Sequence, residues 1–489
     1  MPARTTSAIP KCTTLILDIG DVLCTWSLTT STNVPTETLH TIRNSTTWGL
    51  YERGKLTQEE CYRQITAENS IDLQELKDAF THARDSLTVD HDFITFIRQL
   101  KSEATDNLHI FLMSNISQPD YDFLRTKEAD WLVFDHIFTS FAAGMCKPNL
   151  CFYRLVLDTI GGDPGMVVFV DDKAENVLAA RSLGMQGIVF EEKVTVQAKL
   201  RSLFCDPLKR GKQFLNSNAG KLDSVTSTGI VVPENFTQLL LLEVTKQEKL
   251  INITPPSLVG KWNFFKGKPI LTTLEYPIDF DTTAVALTVL KYDIDVINAV
   301  MGEMLQFRDD DNIIETYFDR ERRRTDPVVC VNVLSLFYSQ RRGSELSATQ
   351  AWVVDVLRYR AYLDGTRYYV TPESFLYFLS RLLETANDEN LRQSCGPLLK
   401  ERLQERIGAP GDAPALAMRI IACATSGIRD EVDMRRLAAM QREDGSWEPG
   451  MIYQYGKSGV GIGNQGLSTA LALDAICMIE DTRRVDSLW

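Results

Sequence analysis

The chain has 489 residues, 44% of them hydrophobic and 24% charged, enough for more than one compact core. A net charge of −13 argues against a nucleic-acid binder, and an anionic substrate would need a local basic patch or a metal. Ten cysteines without Cys-x-x-Cys spacing indicate neither a zinc site nor a disulfide framework.

Residues 1–11 lack an apolar core and no apolar run reaches membrane-spanning length, so a cytoplasmic protein is the expectation. Residues 13–19 form a short apolar run ending at Asp18 and read as a buried parallel strand. Residues 35–100 are helical in period. Further buried strands are expected at 108–113, ending at Ser114-Asn115, at 167–170, ending at Asp171-Asp172, and at 186–190. This alternation predicts a doubly wound α/β domain over 1–200, with a helical insert over about 30–100. In such sheets, sites lie beyond the carboxyl ends of the strands. Asp18, Ser114, Asn115, Asp171 and Asp172 all fall there.

Asp18-Ile19-Gly20-Asp21-Val22-Leu23 resembles the first motif of haloacid-dehalogenase-type phosphatases. Phe111 to Asn115, Lys147-Pro148-Asn149 and Val170 to Asn176 resemble the other three, and the insert resembles the family's small cap. The resemblance implies Asp18 as nucleophile, with Ser114, Asn115 and Lys147 holding phosphoryl oxygens. It implies Mg²⁺ held by Asp18, the Gly20 carbonyl and Asp172, with Asp171 and Asn176 in support. The family usually carries a second Asp two residues after the nucleophile as general acid and base. Gly20 stands there instead. Cleavage of a diphosphate linkage, which has a good leaving group, should then outpace cleavage of an alkyl monoester.

Residues 201–228, rich in Lys, Arg, Gly, Asn and Ser, are expected to be a linker. From 229 to 489 the pattern is nearly all helical. All five histidines (His40, His82, His91, His109, His136) precede this region, so its acid–base chemistry must rest on other side chains. Asp279-Phe280-Asp281-Thr282-Thr283 places two carboxylates directly before an apolar helical run, with Thr282 and Thr283 available to cap it. Such a pair reads either as an acidic first turn that complements the helix dipole or as repelling anions that can hold one member protonated.

This stretch resembles the Asp-x-Asp-Asp motif of class II terpene cyclases, with Thr282 at the fourth position. The resemblance implies Asp281 as the acid that protonates an alkene and Asp279 as its partner. With Thr282 in place of a carboxylate, activation of the acid must come from elsewhere. Gln441 to Trp447 resembles the structural Gln–Trp motif of the same superfamily, in which Gln441 and Trp447 would tie helix ends of an all-α toroid. Arg320, Arg322, Arg323 and Arg324 read either as a diphosphate clamp or as a solvated basic face. Asp309 to Asp311 reads as a solvated acidic turn, and 461–466 as a flexible turn near the cyclase pocket rather than a dinucleotide site. Trp262, Phe264, Phe265, Trp352, Tyr359, Tyr362, Tyr453 and Tyr455 supply aromatic surface, part of it for a dry pocket.

The whole chain resembles the drimane-type sesquiterpene synthases. That implies farnesyl diphosphate as substrate, a bicyclic diphosphate as cyclisation product and dephosphorylation by the first domain. Two alternatives stand beside it: a cyclase whose first domain is an inactive scaffold, and a small-molecule phosphatase carrying a helical binding module. Neither nucleic acid nor membrane is an expected partner, and oligomeric state is not readable.

Overall fold

A computed structural model describes residues 12–29, 32–386, 388–456 and 458–480. The chain divides into two compact units, Met1–Asp206 and Pro207–Trp489.

The first unit is built on a parallel sheet of β1 (Thr14–Leu17), β2 (His109–Ser114), β3 (His136–Thr139), β4 (Val167–Asp171) and β5 (Gln186–Val189), in the order β3-β2-β1-β4-β5. The strands read as continuous apolar runs because helices cover both faces. The edge strand β3 is absent from the sequence reading. It is short, begins at the exposed His136, and takes its place by pairing Phe111–Ser114 with His136–Thr139.

The helical insert is smaller than expected. Helices Thr36–Arg43, Thr46–Glu52, Gln58–Asn69 and Leu73–Asp85 enclose their own core around Leu39, Trp48, Tyr62 and Phe80. The next helix, His91–Glu103, instead buries Phe93, Ile97 and Leu100 in the core of the sheet.

In the second unit, helices Phe236–Thr245, Phe280–Val289, Pro327–Ser339, Pro372–Thr385, Ala413–Thr425 and Gln465–Glu480 pack each on the next, and the last packs back on the first. This closes a ring. Pro327–Ser339 shows why: Val328 to Phe337 are all buried, so the helix must be covered on every side. A small antiparallel sheet of β6 (Ser224–Thr226), β7 (Val231–Val232), β8 (Tyr453–Gln454) and β9 (Gly461–Gly463) runs in the order β8-β9-β6-β7. Residues 461–463 are therefore strand, not a flexible turn. A Cβ on Gly463 would stand 1.7 Å from the Gly450 carbonyl oxygen, which explains the glycine there.

The expected linker is also structured. Helix Pro207–Ser217 packs on Gln465–Glu480, burying Phe214 and Leu215. Gly211 lies so close to Leu473 that a Cβ would approach its side chain to 2.6 Å, so this glycine serves packing and not flexibility.

Gln441 and Trp447 do tie helices together. Gln441 Nε2 donates to the carbonyls of Pro207 and Gly445, both at 2.9 Å, and its Oε1 accepts from Arg210 at 2.8 Å. Trp447 is fully buried. Its Nε1 donates to the Leu437 carbonyl at 2.7 Å, and its backbone N–H donates to Thr469 Oγ1 at 3.2 Å. Trp447→Ala should lower stability by about 3–5 kcal/mol through the cavity alone. Thermal melting should show it, with the product pattern of the residual folded enzyme unchanged.

Candidate functional sites

The first site forms at the carboxyl ends of β1, β2 and β4. Asp18 continues β1, where its N–H donates to the Val170 carbonyl at 2.9 Å. Lys147 Nζ bridges Asp18 Oδ1 at 2.8 Å and Asp171 Oδ2 at 2.6 Å. Burial works against the Lys147 charge, yet these two carboxylates hold its ammonium above the usual lysine range. Burial likewise pushes the Asp18 carboxyl up, against the pull of Lys147.

Asp171 Oδ1 accepts from Asn176 Nδ2 and from the Lys173 N–H, both at 2.9 Å. Both its oxygens are thus engaged, as a positioning residue requires. Asn115, expected on phosphoryl oxygens, has both ends of its amide on the Lys147 backbone. Its Oδ1 accepts from the Lys147 N–H at 2.8 Å and its Nδ2 donates to the Lys147 carbonyl at 2.9 Å. Ser114 is buried, and no described residue hydrogen-bonds its hydroxyl.

One carboxylate oxygen from each of Asp18, Asp171 and Asp172 lies within 4.8 Å of the others. Burial and the charges of Asp18 and Asp171 push the Asp172 carboxyl up to about 6. Among the described residues Lys147 alone forms ion pairs with this cluster. Three crowded carboxylates against one ammonium fit a hard divalent cation with oxygen ligands.

The second site lies in the helical unit. Asp279 N-caps helix Phe280–Val289, its Oδ1 accepting from the Thr282 N–H at 2.6 Å. The cap is therefore Asp279, and the Thr282 backbone is its donor. Asp279 Oδ2 is buried, with no hydrogen-bond partner among the described residues. Burial, with the Asp281 charge adding to it, pushes Asp279 up to about 7 against the Thr282 hydrogen bond.

Asp281 sits one residue beyond Phe280, whose N–H donates to the Thr316 carbonyl at 2.8 Å. Its Oδ1 accepts from Asn332 Nδ2 at 2.6 Å and its Oδ2 from the Tyr369 hydroxyl at 2.5 Å. Burial pushes Asp281 up to about 6, and these two donors resist that rise. No described hydrogen bond joins Asp279 to Asp281, so the groups that polarise Asp281 are Asn332 and Tyr369. The sequence reading missed both. A signal for one existed: Asn332 is the lone amide in Val328-Val329-Cys330-Val331-Asn332-Val333-Leu334.

Both aspartates line a cavity, about 500 Å³ with its opening to solvent included, walled by Phe236, Phe264, Tyr276, Tyr317, Tyr369 and Tyr453. Of the aromatics singled out in the sequence, Phe264, Tyr453 and Tyr455 reach it. Trp262, Phe265 and Tyr362 are core, and Tyr359 is exposed. A second, more open cavity shares Tyr276, Tyr317, Tyr368, Gln454 and Tyr455 with the first and adds Arg322, Arg324 and Arg367. The aromatic cavity thus has a cationic mouth. Arg322 also pairs with Asp319 at 3.5 Å, while away from the mouth Arg323 pairs with Glu315 at 2.7 Å and Arg320 stacks on Phe307. Arg367 was not part of the sequence reading. Its Nε is buried without a hydrogen-bond partner.

No helix among the described residues is long and apolar enough to cross a membrane. Residues 208–340 match the family model "Sesquiterpene cyclase astC-like C-terminal domain". Drimenol cyclase drtB of Aspergillus calidoustus is 46% identical over 464 residues, which cover 94% of this chain and 87% of that protein. Sesquiterpene phosphatase astK of Aspergillus oryzae is 37% identical over 195 residues, 39% of this chain and 98% of that one. Flavin mononucleotide hydrolase 1 of Arabidopsis thaliana is 26% identical over 172 residues, 35% of this chain and 67% of that one. With nearly half its residues shared across most of the length of both chains, this protein belongs to the drimane-type sesquiterpene cyclases, in which a haloacid-dehalogenase-like domain precedes a class II terpene cyclase domain.

Proposed function

We propose that this enzyme protonates the distal alkene of farnesyl diphosphate at Asp281, closes two rings to a drimane-type diphosphate, and removes phosphate at Asp18. The observation that carries the reading is Asp281, held by Asn332 and Tyr369 on an aromatic cavity with an arginine mouth.

Alkene protonation needs a carboxyl that keeps its proton until the substrate arrives and then leaves a stabilised anion. Burial supplies the first condition. The Asn332 and Tyr369 donors supply the second, because their hydrogen bonds strengthen as charge develops on Asp281. The π faces of the cavity stabilise the carbocation, and its walls exclude water that would trap the cation. Arg322, Arg324 and Arg367 suit a diphosphate at the mouth, which leaves the isoprenoid tail to reach inward. In the first domain Asp18 would attack phosphorus, with Lys147 and Ser114 on the phosphoryl oxygens. Asp18, Asp172 and the Gly20 carbonyl would hold Mg²⁺, which when bound neutralises phosphate charge.

Incubation with farnesyl diphosphate and Mg²⁺, with product masses read before and after added phosphatase, tests both halves. Asp281→Asn should abolish cyclisation with the fold retained, since an amide cannot donate the proton. Tyr369→Phe should lower the cyclisation rate by about 10²–10³-fold, the usual loss for one oriented donor. Full activity in Asp281→Asn would remove Asp281 from its role, and full activity in Tyr369→Phe would remove Tyr369 as its donor. Asp18→Ala should accumulate the cyclic diphosphate with cyclisation intact, whereas unchanged phosphate release would make the first domain a scaffold.

The acid form of Asp281 predominates below its raised pKa of about 6. Cyclisation should therefore be flat at lower pH and fall about tenfold per pH unit above it. Asp279, raised to about 7, binds its proton more tightly in the fold than in the unfolded chain. Its contribution to stability is full below the ordinary aspartate range and lost as pH rises through about 7. Asp279→Asn should thus melt higher than wild type at pH 8, with the gap closing toward pH 4, while cyclisation is impaired.

A further inference from the structure

Hydrolysis of an alkyl phosphate through an aspartyl phosphate needs an acid at the departing oxygen and a base for the incoming water. Gly20 stands where the resemblance places that group and has no side chain to supply it. The cavity at the strand ends brings in two further carboxyls, Glu52 and Asp120, of which Asp120 is paired with Arg84 at 2.8 Å. Gly20, Ser114 and Asn115 line it from the strand ends, and Glu52 lines it from the end of helix Thr46–Glu52 in the insert. It holds about 670 Å³ of empty space with its opening to solvent included.

The position of Glu52 is fixed from two sides. Its Oε1 accepts from Trp48 Nε1 at 3.0 Å. Its backbone carbonyl accepts from Ser140 Oγ at 2.7 Å, and that hydroxyl also accepts from the Ile116 N–H at 2.9 Å. Ile116 directly follows Ser114-Asn115, so one serine ties the end of the insert helix to the loop carrying the phosphate-binding candidate. No described residue hydrogen-bonds Glu52 Oε2.

Burial pushes the Glu52 carboxyl up to about 7, against the Arg43 charge and the Trp48 hydrogen bond. Near that value a single group can both give and take a proton at neutral pH. Arg43 lies 4.2 Å from the centre of the Trp26 ring, and both line the same cavity. Leu87, Phe123 and Leu124 extend an apolar wall beside them.

We propose that Glu52 is the acid–base residue of phosphate removal, reaching in from the insert to fill the role that Gly20 leaves open, and that the apolar wall beside it receives the hydrocarbon part of a terpenoid monophosphate. This rests on the reading of Asp18 as nucleophile. An Asp18 oxygen bonds to phosphorus, the phosphorus–alkoxy bond breaks, and the alkoxy oxygen takes the Glu52 proton. Water then yields a proton to the Glu52 carboxylate and attacks phosphorus. The Asp18–phosphorus bond breaks, which returns the free carboxylate and inorganic phosphate. With Glu52 in this role the monoester step loses the handicap inferred from Gly20, and free alcohol becomes the end product.

The test compares two monoesters, p-nitrophenyl phosphate with a good leaving group and farnesyl phosphate with a poor one, on full-length wild type, Glu52→Gln, Glu52→Asp and Asp18→Ala. Glu52→Gln should lose about 10²–10⁴-fold on farnesyl phosphate, the usual worth of a positioned acid, and far less in phosphoenzyme formation from p-nitrophenyl phosphate. Acid-quenched Glu52→Gln should carry a phosphoryl adduct by intact mass, because its water step lacks a base, and Glu52→Asp should recover part of the farnesyl phosphate turnover. Equal losses on both substrates, or no adduct, would overturn the role of Glu52 while leaving Asp18 in place. Full turnover by Asp18→Ala would instead remove the nucleophile. If Glu52→Gln melts far below wild type, the wild-type pH profile decides. Turnover of farnesyl phosphate should fall above about pH 7 while phosphoenzyme formation from p-nitrophenyl phosphate does not, and matching profiles would refute the proposal.

Discussion

A carboxyl that is to protonate an alkene must be buried enough to hold its proton and supported enough to release it. Those demands conflict, since burial destabilises the anion that hydrogen bonds stabilise. In the helical unit Asp281, the proposed acid, combines burial with two hydrogen-bond donors, because three segments of the ring converge on it. Helix Phe280–Val289 carries the acid, helix Pro327–Ser339 presents Asn332, and Tyr369 approaches just before helix Pro372–Thr385. Helix Phe280–Val289 packs on Pro327–Ser339, which in turn packs on Pro372–Thr385. Closure of the ring is therefore what brings the Asn332 and Tyr369 donors to Asp281, and this geometry depends on the same apolar packing that buries Pro327–Ser339 on every side.

The Gln441 and Trp447 contacts serve that closure. They join helix Pro207–Ser217 and the end of Glu431–Ala439 to Thr469 of Gln465–Glu480, the helix that completes the ring. The small sheet does the same locally. Strand β9 presents Ile462 to the aromatic cavity, and β8 presents Tyr453 and Gln454. Backbone pairing between segments far apart in sequence thus holds the cavity wall opposite the acid.

The first unit poses the related problem of crowding anions. Asp18, Asp171 and Asp172 are tolerable because Lys147 lies between two of them, and Asn115 holds the Lys147 backbone through both its amide groups. The cluster retains excess negative charge at its open side, where Asp172 is only partly buried. A divalent cation is the simplest complement to that excess.

Much of this was legible in the chain itself. Buried parallel strands are apolar runs that end abruptly at polar residues, so Asp18, Ser114 and Asp171-Asp172 stood out as strand ends before any fold was known. Asp279 and Asp281 stood out as two acids beside an apolar helix, and the resemblance to class II terpene cyclases singled out Asp281 as the acid. The sheet edge β3 and the strands β6 to β9 did not, because each is short and held by pairing with distant partners rather than by local pattern. Helix Pro207–Ser217 was concealed by its Lys, Arg and Gly, which read as a linker until Gln465–Glu480 packs against it. Tyr369, Arg367 and Glu52 are ordinary residue types in ordinary surroundings, 88 residues beyond Asp281 in the first case. Sequence alone settled which residue types were available for chemistry. Only the tertiary structure decided their partners, because burial, charge proximity and hydrogen-bond direction belong to the packed chain and not to its order.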